Sequence, residues 1–333
     1  MTHLRRQWFI IFPVPMKQRT AMGQKVANSL IHIIGFGATG RLWAASLSAS
    51  DRRVVAHGRQ HTYTSVIREN DQQNWSLSED DGTPFEIVIF CTKGYQFSHA
   101  LSTWRVRITP KTRVVIACNG MGYEHTEIVR QSLSPSQIYF LVHSHAAMRG
   151  STANGFIQTG EGEGWLGALL PTDEPTKEFM MNALHCKLLT GWSEHIQSMR
   201  WRKLAVNALI NPISALLNCP NGALRTPEVY TLWQTLANEI EAIAKAVGQR
   251  MSAAEILTWT QQVASQTAAN YSSMHQDLHH GRATEIDVIN GFICQQALKY
   301  KKNAPANTFL TQMIKSAEQL GHHRYSQAKG VTI

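Results

Sequence analysis

The chain has 333 residues, of which 43% are hydrophobic and 17% are charged. This length exceeds the roughly 100 to 200 residues of a single domain, so we expect two domains that share a cleft. The composition excludes a disordered or fibrous protein. No apolar run approaches the roughly 20 residues that a membrane helix requires, which predicts that the chain has no membrane partner.

The five cysteines are scattered and form no C-x-x-C pair, which predicts neither a disulfide framework nor a zinc site. A reducing compartment fits such cysteines best. Residues 8–15 follow two arginines and superficially resemble a signal peptide, but two prolines interrupt them and no small-x-small cleavage site follows. We therefore expect a cytoplasmic protein.

The net charge of +9 is concentrated at the amino end, where residues 1–28 contain five basic residues and no acidic one. Removing these five charges from +9 leaves +4 for the rest of the chain. This excess suits anionic small molecules better than nucleic acid, because no basic stripe interleaved with aromatic residues follows. We interpret residues 1–28 as a disordered basic extension, or as the result of a start assigned too early, with Met22 as the true one.

Short apolar runs then alternate with longer segments, at residues 30–34, 54–56, 87–91, 114–117 and 138–142. The alternation predicts a parallel sheet with helical crossovers, and thus a Rossmann-type α/β domain over residues 29–193. Residues 87–90 are apolar at every position, as expected for a strand that is covered on both faces.

The turn after the first run has the spacing of a dinucleotide-binding loop and consists of Gly35, Phe36, Gly37, Ala38, Thr39 and Gly40. In such a loop the first glycine permits the tight turn, the second admits a pyrophosphate and the third lets the helix pack closely on the strand. The start of that helix supplies amide donors to the phosphates. A plain glycine-rich turn is the alternative.

Arg59 follows the second run, at the place where an NAD enzyme has an acidic residue for the ribose hydroxyls. A guanidinium there suits a 2′-phosphate, which favours NADP over NAD, whereas the alternative is a solvated surface arginine. Lys93 and Asn119 follow two further runs. Because ligands bind beyond the carboxyl ends of parallel strands, both are candidates for the ribose or nicotinamide, although an Asn-Gly pair is by itself mostly structural.

From residue 194 to residue 322 the apolar residues recur at helical spacing, which predicts a helical domain followed by a frayed tail at 323–333. The clearest element is an apolar stripe of more than four turns between Pro227 and Gly248. We assign this stripe to the core rather than to a cofactor site.

Lys203 and Asn207 are four residues apart and therefore share a helical face, which Asn211 continues as Pro212 disturbs the helix. A lysine and two amides are costly to bury without partners, and a polar ligand supplies such partners. A solvated face is the alternative. Further along, the carboxylate of Glu285 is suited to hold the lysine's ammonium and a substrate hydroxyl together, unless it caps the next helix.

Together these segments resemble the ketopantoate reductases, which reduce 2-dehydropantoate to pantoate in pantothenate and coenzyme A synthesis. GFGATG, CTK, NGMG, HAA, WRKLAVN, INP, NCPNGALR, SSMHQD and GRATEID occur in the family's order. The resemblance implies NADPH as cofactor and a Rossmann domain joined to an all-helical domain like that of 6-phosphogluconate dehydrogenase, with the site between them. We expect a monomer or a homodimer.

By this resemblance Lys203 donates the proton, and Glu285, Lys93, Asn119 and Ala147 belong to the cofactor side, with Glu285 also catalytic. The expected substrate contacts are Lys203, Asn207, Asn211, Asn221, Asn270, Ser272 and Ser273. The chain departs from the family pattern at Thr39, where an aliphatic residue is usual, at Cys118 before the Asn-Gly pair, and in the extension. None of these departures removes a functional group.

Three alternatives stay open. The first is a reductase of another 2-keto acid or of an imine. The second is a non-catalytic NADPH-binding regulator, and the third is a nucleic-acid-associated protein that binds through residues 1–28. His143 and His145 are two residues apart, but we expect no metal site there because no cysteine or pair of acids is nearby.

Overall fold

The computed structural model describes residues 29–59 and 61–330, with side chains to residue 320. The predicted extension at residues 1–28 lies outside the described residues. The strands are β1 (Leu30–Ile34), β2 (Arg53–His57), β3 (Thr62–Tyr63), β4 (Ser65–Arg68), β5 (Gln73–Ser76), β6 (Ile87–Phe90), β7 (Arg113–Ile116), β8 (Ile138–His143), β9 (Ala146–Arg149), β10 (Gly155–Gly160), β11 (Gly164–Ala168) and β12 (Gly191–Trp192).

The helices are α1 (Ala38–Ser48), α2 (Phe97–Trp104), α3 (Tyr123–Arg130), α4 (Glu174–Ala183), α5 (Ile196–Leu216), α6 (Pro227–Ala246), α7 (Ala253–Gln266), α8 (Ser273–His279), α9 (Asn290–Lys299) and α10 (Pro305–Gly330). Strands therefore end at residue 192, and the described chain is helical from residue 196 onward. A short 3-10 turn, Ile286–Val288, precedes α9.

The main sheet has eight strands in the order β12-β11-β8-β7-β6-β1-β2-β3. Its central strands, β2, β1, β6, β7 and β8, are parallel, and they match the five predicted runs to within one residue at each end. Each residue of β1 and of β6 is buried, because hydrophobic clusters cover both faces of the sheet. The predicted Rossmann-type sheet is confirmed.

A second sheet, in the order β5-β4-β10-β9, was not predicted. Strand β5 is polar and largely exposed, so it carries no apolar run for a sequence pattern to detect. The small sheet packs against α1, where the buried guanidinium of Arg41 donates hydrogen bonds to the carbonyl oxygens of Gly155 and Ala153, each at 2.6 Å. This contact fixes the helix that begins at the glycine-rich turn.

The helical half has its own core. Helix α6 contains the predicted apolar stripe and begins at the expected proline, with the Thr226 side chain accepting a hydrogen bond from the amide of Val229. Helix α5 continues to Leu216 with Pro212 inside it, so this proline does not end the helix. Helix α10 includes residues 323–330 of the predicted tail, and residues 331–333 lie outside the described chain.

Candidate active site

The turn after β1 requires glycine at two positions because of the protein's own packing. Gly35 has a φ of 97°, and a Cβ atom there would lie 2.8 Å from the Thr92 side chain. A Cβ atom at Gly40 would lie 2.1 Å from the carbonyl oxygen of Gly35. These close approaches are the ones that the spacing of the glycines predicts for a strand, a turn and a helix in contact.

Gly37 is different, because a Cβ atom added there would meet nothing within 4 Å. Gly37 is also the N-cap of α1, and no side chain caps this helix. The first-turn amides of Ala38, Thr39 and Gly40 have no acceptor within the helix. An open surface in front of an uncapped helix start suits a pyrophosphate, so the residues present fit a dinucleotide.

Two side chains flank this turn. Phe36 is buried with its ring 4.2 Å from that of Tyr63, so only its backbone can face a ligand. Arg59, beyond the carboxyl end of β2, is exposed and forms no hydrogen bond with a residue that the structure describes. Burial raises the pKa of the nearby Tyr95 phenol, and the positive charges of Lys93 and Arg59 act in the opposite direction. The guanidinium of Arg59 is thus available to a ligand.

Glu285 joins the ends of two strands. Its buried carboxylate accepts hydrogen bonds from the amide of Gly94 at 3.0 Å and from Nδ2 of Asn119 at 3.2 Å. Nζ of Lys93 lies 3.5 Å from the same carboxylate and 2.6 Å from Oδ2 of Asp277. Since Lys93 follows β6 and Asn119 follows β7, carboxylates from the helical half hold both strand ends.

The ammonium of Lys93 is held between two acids. Burial by itself lowers the pKa of Lys93, but the negative charges of Glu285 and Asp277 outweigh burial and raise it. Asp277 is buried and also accepts a hydrogen bond from Nε of Arg282 at 3.1 Å. Lys93 therefore stays protonated, and Asp277, which is absent from the predicted site residues, is part of the cluster.

Lys203 on α5 faces the strand ends from the other side. Its Nζ donates a hydrogen bond to the carbonyl oxygen of His143 at 2.8 Å. Burial lowers the pKa of Lys203 to about 8, and the negative charge of Glu285 acts in the opposite direction. The expected direct contact between Glu285 and this ammonium is absent among the described residues, because Gly94, Asn119 and Lys93 engage the carboxylate.

A narrow cleft, partly open to solvent, lies between α5 and the ends of β7 and β8, and we call it the cavity. Lys203 and Asn207 line it on the helical side, and Asn119 and Gly120 line it on the sheet side. The remaining wall is mostly apolar and includes Ile116, Phe140, Leu141 and Val142. The cavity is thus lined by the predicted proton donor Lys203, by the predicted substrate contact Asn207 and by Asn119 from the predicted cofactor side.

The asparagines of α5 keep their carboxamides available. Asn207 lines the cavity one turn after Lys203, as the spacing predicts. Asn211, one further turn along, is buried, and its carboxamide forms no hydrogen bond with a described residue. A carboxamide that no protein group uses is available to a polar ligand.

Ser272 and Ser273 differ in their surroundings. Ser272 is the N-cap of α8; its buried hydroxyl accepts hydrogen bonds from the amide of His275 at 3.1 Å and from the hydroxyl of Ser214 at 2.7 Å. These bonds give Ser272 a local structural role. Ser273 is exposed, and its hydroxyl forms no hydrogen bond within the described chain.

Asn221 and Asn270 contact each other through the backbone, where the amide of Asn221 donates to the carbonyl of Asn270 at 2.9 Å. Nδ2 of Asn221 donates to Oγ1 of Thr267 at 2.9 Å, whereas its Oδ1 is buried and has no partner among the described residues. Asn270 is partly exposed and its side chain forms no hydrogen bond with them. One acceptor and one carboxamide therefore remain unused here.

Ala147 lies in β9 opposite Gln158 and packs against the core beneath α1. Its neighbour His145 uses both ring nitrogens, because Nδ1 accepts from the amide of Gly162 at 3.0 Å and Nε2 lies 2.9 Å from the carbonyl oxygen of Leu188. This arrangement requires the proton on Nε2. His145 thus has a structural role, and neither nitrogen is free for a metal.

His32, His57 and Asp80 form the one cluster with metal-binding geometry in the part of the chain that the structure describes. Both oxygens of Asp80 are engaged by Arg107, at 2.7 and 2.8 Å. Nδ1 of His32 lies 2.9 Å from Nε2 of His57, and burial lowers the pKa of each to about 4. A hydrogen bond between two neutral rings accounts for the pair without an ion.

A buried ion pair beside the cavity was not predicted. Nη2 of Arg200 lies 2.6 Å from Oε1 of Glu124, and both side chains are 8% exposed. The guanidinium also lies 3.8 Å from the centre of the Phe140 ring. Arg200 precedes Lys203 by three residues and lines the same cavity, so the pair ties the helix of the predicted proton donor to α3.

The comparisons with known proteins agree with this architecture. A family model described as "Ketopantoate reductase PanE/ApbA" matches residues 31–171, and one described as "Ketopantoate reductase PanE/ApbA C terminal" matches residues 195–318. A 2-dehydropantoate 2-reductase of Vibrio cholerae is 31% identical over 293 residues, which are 87% of this chain and 98% of that protein. The chain belongs to the ketopantoate reductase family. The predicted family is confirmed, and with it an oxidoreductase.

Solved structures support the fold of this family member. A D-mandelate dehydrogenase in a ternary structure with NADH and anilino(oxo)acetate has a TM-score of 0.78 at 22% identity and covers 88% of this chain and 99% of its own. A PanE/ApbA family ketopantoate reductase from Ralstonia eutropha has a TM-score of 0.75 at 22% identity, covering 88% and 100%. Within the described residues no helix has the length and apolar character needed to cross a bilayer.

Proposed function

We propose that this family member reduces 2-dehydropantoate to pantoate with NADPH, in pantothenate and coenzyme A synthesis. One observation carries the proposal: Lys203 and Asn207 on α5 share a cavity with Asn119 and Gly120 at the sheet edge. A cofactor held at that edge and a substrate held by α5 would meet there. The relatives named 2-dehydropantoate 2-reductase support the choice of substrate.

The cofactor would be held from β1 onward. In this proposal the backbone of the turn from Gly35 to Gly40 and the start of α1 bind the pyrophosphate, because the surface at Gly37 is open and the helix is uncapped. Ala147, Lys93 and Asn119 would contact the remainder, with Glu285 fixing the last two. When bound, the reduced nicotinamide supplies a hydride.

A preference for NADPH over NADH is assigned to Arg59. Its exposed guanidinium has no partner in the described chain and lies beyond β2, where the adenosine ribose is bound in Rossmann folds. A guanidinium forms strong paired hydrogen bonds with a phosphate, whereas the carboxylate of an NAD enzyme would repel it.

The proton would come from Lys203. Reduction adds a hydride to the 2-carbonyl carbon and a proton to its oxygen, and the ammonium would both stabilise the negative charge developing on that oxygen and transfer the proton. The pKa of about 8 keeps most of the side chain protonated at neutral pH while bringing its acidity nearer to the working pH.

The substrate's polar groups would be held by amides and hydroxyls. In this proposal Asn207 and Asn211 contact the hydroxyl and keto end, and the segment with Asn270, Ser272 and Ser273 approaches the carboxylate, together with Asn221. Ser272 already caps α8, so its contribution requires sharing its hydroxyl, whereas Ser273 has a free one. The apolar cavity wall suits the methyl groups of a branched small acid.

A panel assay tests this function. The purified chain is mixed with NADPH and each of ketopantoate, pyruvate, 2-ketoisovalerate and benzoylformate, and the absorbance of NADPH is followed, with NADH as the comparison. Ketopantoate is expected to give the highest kcat/KM. A different best substrate would reject ketopantoate as the physiological substrate.

The second candidate is reduction of another 2-keto acid, such as benzoylformate, the keto acid of mandelate. The similarity to a D-mandelate dehydrogenase fold is the observation that favours it. The structure of that protein contains NADH, so the assays with NADH test the alternative substrate and the alternative cofactor together. Highest kcat/KM for benzoylformate with NADH would support this candidate.

A further inference from the structure

Helix α5 contains a proline where an ordinary residue would donate a hydrogen bond. Pro212 has no amide hydrogen, so the carbonyl of Ala208, four residues earlier, loses its helical donor. The Nδ2 group of Asn290 occupies that role, at 3.1 Å from the Ala208 oxygen. Asn290 comes from α9, more than 70 residues along the chain, and its side chain is fully buried.

The direction of the Asn290 carboxamide is fixed by a chain of hydrogen bonds. Its Nδ2 also donates to Oδ1 of Asn307 at 3.0 Å. Asn307 in turn donates from Nδ2 to Oε2 of Glu239 at 2.8 Å, so its Oδ1 must face Asn290. Both hydrogens of the Asn290 amide are therefore used on oxygen acceptors, and turning the carboxamide over would place its oxygen against those acceptors.

Asn290 also lies close in sequence to residues that contact the sheet side of the cavity. Val288, two residues earlier, accepts a hydrogen bond from the amide of Met121 at 2.8 Å. A Cβ atom at Gly120 would lie 2.5 Å from Val288, so this turn is seated directly against the strand end. Glu285 is the N-cap of the same turn, and the helix that follows the turn begins with Asn290, which is bonded to the helix of Lys203.

We propose that Asn290 is a positioning residue: by pairing the carbonyl that Pro212 leaves unpaired, it fixes the Lys203, Asn207 and Asn211 stripe of α5 relative to the turn that carries Glu285. The kinetic part of this inference rests on the proposed function. The structural part, an energetic coupling between positions 290 and 212, does not depend on the substrate.

The test is a double-mutant cycle of Asn290→Leu and Pro212→Ala, with Asn290→Asp as a variant that keeps the shape and removes both donors. Alanine at 212 restores an amide for the Ala208 carbonyl. Asn290→Leu is therefore expected to lower the thermal midpoint by roughly 2 to 6 °C in the wild-type chain and by less in the Pro212→Ala chain. Equal losses in both backgrounds would overturn the proposal.

The kinetic readout separates positioning from loss of stability. Asn290→Leu and Asn290→Asp are expected to raise the KM for ketopantoate by about tenfold and to lower kcat, with the Kd of NADPH within about twofold of the wild type. Thr260→Val removes a buried hydroxyl elsewhere in the helical half and is the matched control, with an unchanged KM. Wild-type kinetics in both Asn290 variants would overturn the proposal.

Two further outcomes are informative. If Asn290→Leu does not fold, the double variant is expected to fold because the restored amide replaces the lost donor; failure of the double variant as well would contradict the coupling. If the wild-type chain does not turn over ketopantoate, the proposed function fails, whereas coupling of the thermal midpoints would still be measured and would support the structural part.

Discussion

The Lys203 ammonium donates a hydrogen bond to the His143 carbonyl oxygen at 2.8 Å, and this bond aims the nitrogen at the cavity without neutralising it. A backbone carbonyl orients a proton but does not accept it permanently, unlike a carboxylate in contact. The imidazole of His143 remains neutral, because burial and the charge of Lys203 lower its pKa well below the usual value. The proton is therefore kept on Lys203 up to a pH of about 8.

The pH dependence of the two directions of reaction follows from this pKa. Reduction needs the protonated lysine, so its kcat/KM is expected to be flat below pH 8 and to fall about tenfold per pH unit well above it. Oxidation of pantoate needs the neutral amine and should rise through the same range. Rates measured in both directions between pH 6 and 10 check this, and parallel profiles would contradict it.

Replacing Glu285 by glutamine is expected to shift the fall of reductase kcat/KM to lower pH. The negative charge of Glu285 raises the pKa of Lys203, so its removal lowers the pKa further and brings the loss of reductase activity nearer to neutrality. Asp287→Asn is the matched control, since Asp287 is exposed and pairs with Lys315 outside the cavity. If the kcat/KM of Glu285→Gln falls at the same pH as that of the wild type, this carboxylate does not act on Lys203.

Arg59→Ala is expected to weaken binding of NADPH by roughly ten- to hundredfold and binding of NADH by much less, because only NADPH offers a 2′-phosphate. Fluorescence titration of each reduced cofactor measures the two Kd values. Arg53→Ala provides the control, as Arg53 is exposed at the opposite end of β2. Equal losses for both cofactors would remove the assigned phosphate role.

Breaking the Arg200–Glu124 pair is expected to destabilise the fold strongly. Removing one partner leaves a buried charge without compensation, so Glu124→Ala should cost about 3 to 5 kcal/mol of unfolding free energy. Denaturant unfolding measures this loss. The exposed pair of Lys187 and Glu161 is the comparison, and Lys187→Ala should leave stability nearly unchanged. If Glu124→Ala lowers the unfolding free energy as little as Lys187→Ala does, another group must compensate the buried charge of Arg200.

The sequence predicts those parts of the molecule that depend on local pattern. The central strands are buried on both faces and therefore read as continuous apolar runs, and α6 has a regular stripe. The stripe of Lys203 and Asn207 follows from helical spacing alone. Strand β5 escapes detection because it is polar and exposed.

Contacts between distant residues could not be predicted in the same way. Arg200 is 76 residues from Glu124, and Lys93 is 184 residues from Asp277. Their pairing depends on how the helical half sits against the sheet, and the spacing within each segment carries no information on that. For the same reason the sequence suggested that Glu285 holds Lys203, whereas the folded chain engages its carboxylate with the strand ends.

The measurement that tests the central claim most directly compares the wild-type chain with Lys203→Ala in single-turnover reduction of ketopantoate, with NADPH binding measured in parallel. We predict that the variant binds NADPH normally and reduces ketopantoate about 10² to 10⁴ times more slowly, since general acid catalysis contributes about that much. Near-normal turnover in the variant would contradict the assignment of Lys203 as the proton donor.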